Sequence, residues 1–194
     1  MTEGDVLVGV LALQGGFDAH ARMLRDLGAE TREVRTVADL EGLDGLVMPG
    51  GESTTMTLGI AREGLAEPLT ALIRDRGVPV LGTCAGLIML DREHLGLMDI
   101  VATRNAFGRQ IRSFEADLEF PDLDEPVHAV FIRAPWIAEH GAGVEILADV
   151  DGHGVAAREG NITVVAFHPE LSGERRLHEQ FLAQVREHVA ASRQ

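Results

Sequence analysis

The sequence has a single cysteine, Cys84, among its 194 residues. That excludes an intrachain disulfide framework, fits a reducing compartment, and turns attention from structural to chemical roles for the thiol. Long apolar runs are also missing. The longest aliphatic stretch near the N-terminus, Val6 to Leu13, falls far short of the roughly 20 residues that a membrane-spanning helix needs. It follows Glu3 and Asp5 rather than basic residues, so it does not read as a signal peptide. Basic residues are scarce: 17 Lys and Arg stand against 31 Asp and Glu, for a formal charge of −14. So acidic a chain repels phosphate backbones and anionic lipid, which sets aside nucleic acid and membrane surfaces as partners. A cytoplasmic location is expected. No repeat, low-complexity tract or Pro/Gly/Ser-rich linker divides the sequence, and its length suits one α/β domain, residues 1–194, with a full core.

The first half alternates short apolar runs with helical patterns. Val6–Leu13 reads as a buried strand ending in the turn Gln14-Gly15-Gly16. Ala21, Leu24 and Leu27 then recur at helical spacing until Gly28. Gly45–Met48 reads as a second strand, broken by Pro49-Gly50-Gly51. Helical patterns run on through Arg74, and Val80–Thr83 reads as a third strand. Strands alternating with helices imply parallel pairing through right-handed crossovers, with both sheet faces covered. In the second half, Phe114–Phe120, Val127–Phe131, Val144–Leu147 and Ile162–Phe167 are strand-like and closely spaced, which predicts antiparallel pairing there. Glu174–Ala191 reads as a closing amphipathic helix. The expected fold is a three-layer α/β sandwich with a mostly parallel central sheet.

Three motifs carry chemistry. Gly82-Thr83-Cys84-Ala85-Gly86 follows a strand and precedes a helical run. This is the thiol counterpart of the hydrolase G-x-S-x-G elbow, in which flanking glycines permit a sharp turn and the nucleophile projects outward. The positive end of the following helix favours the reactive thiolate. A buried structural cysteine is the competing reading. Phe167-His168-Pro169-Glu170 ends another apolar run. In extended chain His168 and Glu170 share a face, with Pro169 keeping His168 extended, which suits a base held by a carboxylate. A strand-end histidine beside an exposed glutamate is the alternative. Pro49-Gly50-Gly51-Glu52-Ser53 also follows a strand, and its glycines can aim backbone N–H groups at an oxyanion. An ordinary tight turn remains open; a phosphate loop does not fit, because the Lys-containing signature is missing and Glu52 opposes phosphate.

In this order the three motifs resemble those of triad-type (class I) glutamine amidotransferases. The fuller resemblance is to the glutaminase subunits of pyridoxal 5′-phosphate synthase. It rests on Leu13-Gln14-Gly15, PGGEST at 49–54, GTCAGLI at 82–88, RNAFGRQ at 104–110, SFEADL at 113–118, FIRAP at 131–135 and FHPEL at 167–171. The similarity runs from residue 6 to about residue 185. One departure is a short link between Leu90 and Arg104, expected to fall in a surface loop.

The resemblance implies L-glutamine as substrate, with Cys84 as nucleophile, His168 as base and acid, and Glu170 as its orienting partner. By position it makes Gly51, Glu52, Ser53, Arg104, Ile132 and Arg133 glutamine-binding residues. The Gly51 and Ala85 N–H groups become oxyanion donors, and Gln14 lies at the interface with a (β/α)8-barrel synthase that receives the ammonia. No metal or cofactor is implied. The remaining histidines (His20, His94, His128, His140, His153, His178 and His188) show no metal spacing, and Trp136 reads as packing. A glutaminase of another amidotransferase, such as the histidine-pathway subunit, and a non-catalytic scaffold of the same fold stand as rival readings.

Overall fold

A computed structural model describes residues 6–108 and 113–193. Arg109 and Gln110, the end of the motif that begins at Arg104, lie outside the described residues. In chain order the elements are β1 (Leu7–Leu11), α1 (Phe17–Asp26), β2 (Glu30–Val34), β3 (Gly45–Met48), α2 (Ser53–Arg62), α3 (Ala66–Thr70), β4 (Val80–Thr83) and α4 (Ala85–Leu90). There follow β5 (Ile100–Thr103), β6 (Ser113–Leu118), β7 (Val127–Ile132), β8 (Trp136–His140), β9 (Glu145–Val150), β10 (His153–Glu159), β11 (Ile162–Val165), α5 (Pro169–Ser172) and α6 (Arg176–Ser192). A 3₁₀ turn spans Val37–Leu40, and α3 continues as a π-helical turn over Ala71–Asp75.

Nine strands form the main sheet, in the order β2-β1-β3-β4-β11-β10-β8-β5, with β9 also paired to β10. The first five of these pair in parallel, and β10, β8, β9 and β5 extend the sheet antiparallel. Strands β6 and β7 make a separate antiparallel ribbon. The switch from parallel to antiparallel therefore falls in the second half, as the strand spacing predicts.

Alternation within the central strands explains the three layers. Val6, Val8 and Val10, with Val47 and Leu81, pack against Leu24 of α1 and Phe181, Leu182 and Val185 of α6. Leu11, Leu46, Met48 and Val80 point the other way, into a core with Met56, Ile60, Leu69 and Leu87. Both faces are dry, so these strands read as continuous apolar runs. Trp136 does pack: its ring stacks on His153 and meets the edge of Phe107.

The sequence reading passes over β2, β5, β8 and β10. The β2 segment, ETREV, has mostly exposed or half-buried side chains at the sheet edge and lacks an apolar run. The link from Leu90 to Arg104 is more than a surface loop, since it contains β5 and the fully buried Asp91. Among the described residues no helix is long and apolar enough to cross a membrane.

Candidate functional site

The central strands end together at one edge of the sheet, and the motif residues follow those ends. This is where open α/β sheets place ligands. Cys84 sits between β4 and α4 with φ 50° and ψ −105°, a conformation that a non-glycine residue holds only under strain. Its N–H donates to the Val165 carbonyl at 2.8 Å, fixing the turn against β11. Gly86 is required next to it, because a Cβ there would run into the Met48 carbonyl. The thiol is 6% exposed, and its Sγ lies 3.9 Å from the Ile132 carbonyl oxygen.

His168 follows β11, its N–H donating to the Val130 carbonyl at 2.9 Å. Its Nδ1 lies 2.7 Å from Glu170 Oε1. The pair does meet, but not by strand alternation. His168 caps α5 with φ −112° and ψ 87°, and Pro169 starts that helix. Proline's fixed φ suits the first helical position as well as an extended chain, so Glu170 turns back over His168 from the first turn of a helix.

Burial alone would lower the His168 pKa. Hydrogen bonds and charge interactions with Cys84 and Glu170 overcome that and raise it to about 10. Burial likewise raises the Glu170 pKa, but the hydrogen bond from His168 and electrostatic interaction with the His20 and His168 rings bring it below the usual carboxylate value. The structure thus brings Cys84, His168 and Glu170 into one cluster, with the imidazole held in its protonated form.

The loop after β3 closes over this cluster. Gly50 is pressed so tightly that a Cβ would lie 2.5 Å from His168 Cε1 and 3.3 Å from Cys84 Cβ. Gly51 has φ 154°, and Ser53, 5% exposed, begins α2. The loop after β1 clasps it: the Gly16 N–H donates to the Gly50 carbonyl at 3.0 Å, and the Glu52 N–H to Gln14 Oε1 at 2.5 Å. Gln14 therefore holds the loop that contains Gly51 and Glu52.

Arg104 is tied to the same region, its Nη1 donating to Thr54 Oγ1 at 3.3 Å and its Nη2 lying 3.4 Å from His94 Nε2. Ile132 ends β7 and is 39% exposed; Arg133 next to it has φ 46°. Of the four non-glycine residues with positive φ among the described residues, Cys84, Asn105 and Arg133 are motif residues. Strain collects at this edge of the molecule.

Two histidines that the sequence leaves unassigned also belong here. His20 of α1 and His178 of α6 are both fully buried, and His20 Nε2 lies 3.3 Å from Glu170 Oε2. His94 is a third, with Nδ1 2.8 Å from buried Asp91. Local spacing holds no signal for His20 and His178, whose partners come from distant elements, whereas His94 meets Asp91 only three residues before it.

A family model described as the SNO glutamine amidotransferase family matches residues 10–187. Curated relatives named pyridoxal 5′-phosphate synthase subunit PdxT include one from Corynebacterium jeikeium, 52% identical over 94% of this chain and 98% of its own length. One from Pelotomaculum thermopropionicum is 53% identical over 90% of this chain and 93% of its own. A crystal structure described as a glutamine amidotransferase superposes with a TM-score of 0.86 at 42% identity, covering 92% of this chain and 98% of that one. Family match, identity over nearly the full length and superposition agree with the elbow and its His–Glu pair: this chain belongs to the SNO glutamine amidotransferase family.

Proposed function

We propose that the whole chain acts as one glutaminase domain, the ammonia-supplying subunit of a pyridoxal 5′-phosphate synthase. The observation that supports this most directly is the strained Cys84 elbow set beside the 2.7 Å His168–Glu170 pair. Family membership and the names of the relatives support the biosynthetic role.

In the reaction, the Cys84 sulfur adds to the side-chain carboxamide carbon of L-glutamine. The Gly51 and Ala85 N–H groups hold the resulting oxyanion. His168 gives its proton to the departing nitrogen as the C–N bond breaks, releasing ammonia and leaving a glutamyl thioester. His168, now neutral, takes a proton from water as that water attacks the thioester, and glutamate leaves with Cys84 restored. Glu170 keeps the ring oriented and offsets its charge. Arg104 pairs with the substrate α-carboxylate through its planar guanidinium. Gly51, Glu52, Ser53, Ile132 and Arg133 form the rest of the glutamine pocket. No step in this scheme calls on a metal or cofactor. Ammonia passes to a (β/α)8-barrel synthase at a surface that includes Gln14, and a reducing cytoplasm suits a reaction that needs Cys84 free.

Coexpression with the synthase and an assay for pyridoxal 5′-phosphate made from glutamine tests the reading. Mass spectrometry of the quenched complex should find a glutamyl adduct on Cys84. Product formation with free ammonium but not with glutamine, and an unmodified Cys84, would overturn it.

A further inference from the structure

Behind the catalytic cluster a second set of polar groups is buried where it has no obvious structural need. His20 and His178 come from α1 and α6, are fully buried, and lie with their ring centroids 5.1 Å apart. His20 Nδ1 is 2.8 Å from His178 Nε2, and its Nε2 is 3.2 Å from Thr83 Oγ1 and 3.3 Å from Glu170 Oε2. Two imidazoles in an apolar layer are costly to bury, and a pair of apolar side chains would fill the space without that cost.

The two oxygens of Glu170 are in different situations. Oε1 accepts from His168, whereas Oε2 is buried with no well-aligned hydrogen bond and faces His20 Nε2. Nε2 of His20 lies between Thr83 Oγ1 and Glu170 Oε2; a bare nitrogen there would set its lone pair against the carboxylate, which favours hydrogen on Nε2, shared between the hydroxyl and Oε2. Burial lowers the His20 pKa, more than the Glu170 charge restores it. A neutral His20 with hydrogen on Nε2 has Nδ1 as an acceptor, and the only sense left for the 2.8 Å contact is donation from His178 Nε2. That leaves His178 Nδ1 bare, in keeping with its having no hydrogen-bond partner; a buried acceptor tolerates this better than a buried N–H. The reverse sense would use the Glu174 carbonyl, toward which His178 also lies, and would leave His20 Nε2 as an acceptor for the Thr83 hydroxyl with its lone pair beside the Glu170 carboxylate. Arg22, Asp26 and Arg175 line an open cleft on the outer side of Glu170, but none has an ion-pair contact with it among those of the described residues.

We propose that His20, backed by His178, is a positioning residue for glutamine hydrolysis: its Nε2–H holds Glu170 Oε2 so that Oε1 stays on His168. The chain of donors runs His178 to His20 to Glu170, and meets there the bond from His168. A buried carboxylate held at one oxygen can swing about its side-chain torsions; held at both, it keeps the imidazole aligned with Cys84. This rests on the reading of Cys84, His168 and Glu170 as the catalytic triad.

The test compares His20→Leu, which removes the donor, with His20→Gln, whose amide nitrogen reaches the position of Nε2. Both are assayed for glutamine hydrolysis in the full complex with the synthase, with Cys84→Ala alongside. His20→Leu should lower kcat about 10- to 100-fold, the worth of a hydrogen bond to a charged group, with KM for glutamine nearly unchanged. Its acid limb in kcat/KM should move to higher pH, because Glu170 loses a donor that favours its ionised form. His20→Gln should recover most of both. Nitrogen-15 NMR of the unaltered chain should find hydrogen on Nε2 of both His20 and His178, a readout that does not depend on any variant folding. Normal kcat and acid limb in His20→Leu, no recovery in His20→Gln, or a His20 hydrogen on Nδ1 would each overturn the proposal. An active Cys84→Ala would instead sink the triad beneath it.

Discussion

At the scale of single residues, the three catalytic candidates should differ in how much the reaction depends on each. Cys84→Ala removes the atom that bonds to substrate, so hydrolysis should fall to background while the fold survives, because alanine keeps the Cβ and the backbone of the turn and loses only the sulfur. His168→Ala should be nearly as severe. Glu170→Gln should lose less, since an amide oxygen can still accept from His168 Nδ1. Kinetics of the three variants in the partnered enzyme check the ranking, and an equal or larger loss in Glu170→Gln would refute it. The buried histidines also set how stability changes with pH. Burial, with a smaller push from His20, lowers the His178 pKa from 6.5 to about 3. Between those values the unfolded chain binds a proton that the folded one refuses, so stability falls as pH drops below 6.5, by about 1.4 kcal/mol per pH unit. His20 acts in the same sense. His168 is opposite: with its pKa raised from 6.5 to about 10, its contribution is complete below 6.5 and is lost as pH rises toward 10. Stability should therefore peak near neutrality. Denaturant unfolding at pH 7 and 5.5 should find that His178→Leu loses about 1 kcal/mol less than the unaltered chain over that interval.

At the scale of elements, the site is made by strand ends that present short turns, and the tightest of these is the loop after β3. Gly50→Ala should force the His168 ring away from its place above Cys84, since the new Cβ would lie 2.5 Å from Cε1. A displacement of about 1 Å at a reacting group can cost about 100-fold in rate, so kcat should fall about that much, with the melting temperature changed by only a few degrees. Unaltered kcat with a large drop in Tm would mean that the loop serves the fold rather than the chemistry. These turns were legible in the sequence because each has a local signature: glycines around Cys84, paired glycines after Met48, and proline between His168 and Glu170. The parallel core was legible for the same reason, as β3 is an apolar run ended by Pro49 and β4 opens with Val80-Leu81 after Pro79. What was not legible is non-local. Strand β2 owes its place to pairing with β1 along the sheet edge, not to its own ETREV pattern. His20 gains its meaning from Glu170, 150 residues away in the chain, and His94 from Arg104 on the far side of β5. Even the His168–Glu170 pair was recognised for an incomplete reason, since a helical first turn, not an extended strand, brings the two together.

At the scale of the whole molecule, a subunit that makes ammonia for another enzyme has reason to stay quiet when unpartnered. Ammonia released without an acceptor wastes glutamine, and near neutral pH it is mostly the non-nucleophilic ammonium ion. The structure offers a mechanical link for such control in the clasp between the loops after β1 and β3. The Gly16 N–H holds the Gly50 carbonyl, and Gln14 Oε1 holds the Glu52 N–H. The second anchor grips the next peptide, while the first grips, through its Gly50 carbonyl, the very peptide that contains the Gly51 N–H, one of the two proposed oxyanion donors. Glycine on both sides of that peptide lets it turn with little steric penalty. A synthase surface pressing on residues 14–16 would act on both anchors at once, and so on the direction of the Gly51 N–H. Misaligning one oxyanion donor costs about 100- to 1,000-fold in turnover, enough to keep the free chain nearly silent. We therefore expect the purified chain to hydrolyse glutamine slowly and to gain about that factor when its synthase is added. Gln14→Ala should weaken this gain, because it leaves the Glu52 N–H without its acceptor and cuts one of the two anchors, while leaving synthesis from free ammonium intact in the complex. Steady-state hydrolysis by the chain alone, by the complex and by both Gln14→Ala forms decides the matter. A free chain as fast as the complex would remove the need for the switch and leave the proposed triad untouched; a Gln14→Ala chain that is activated normally would move the switch away from this clasp.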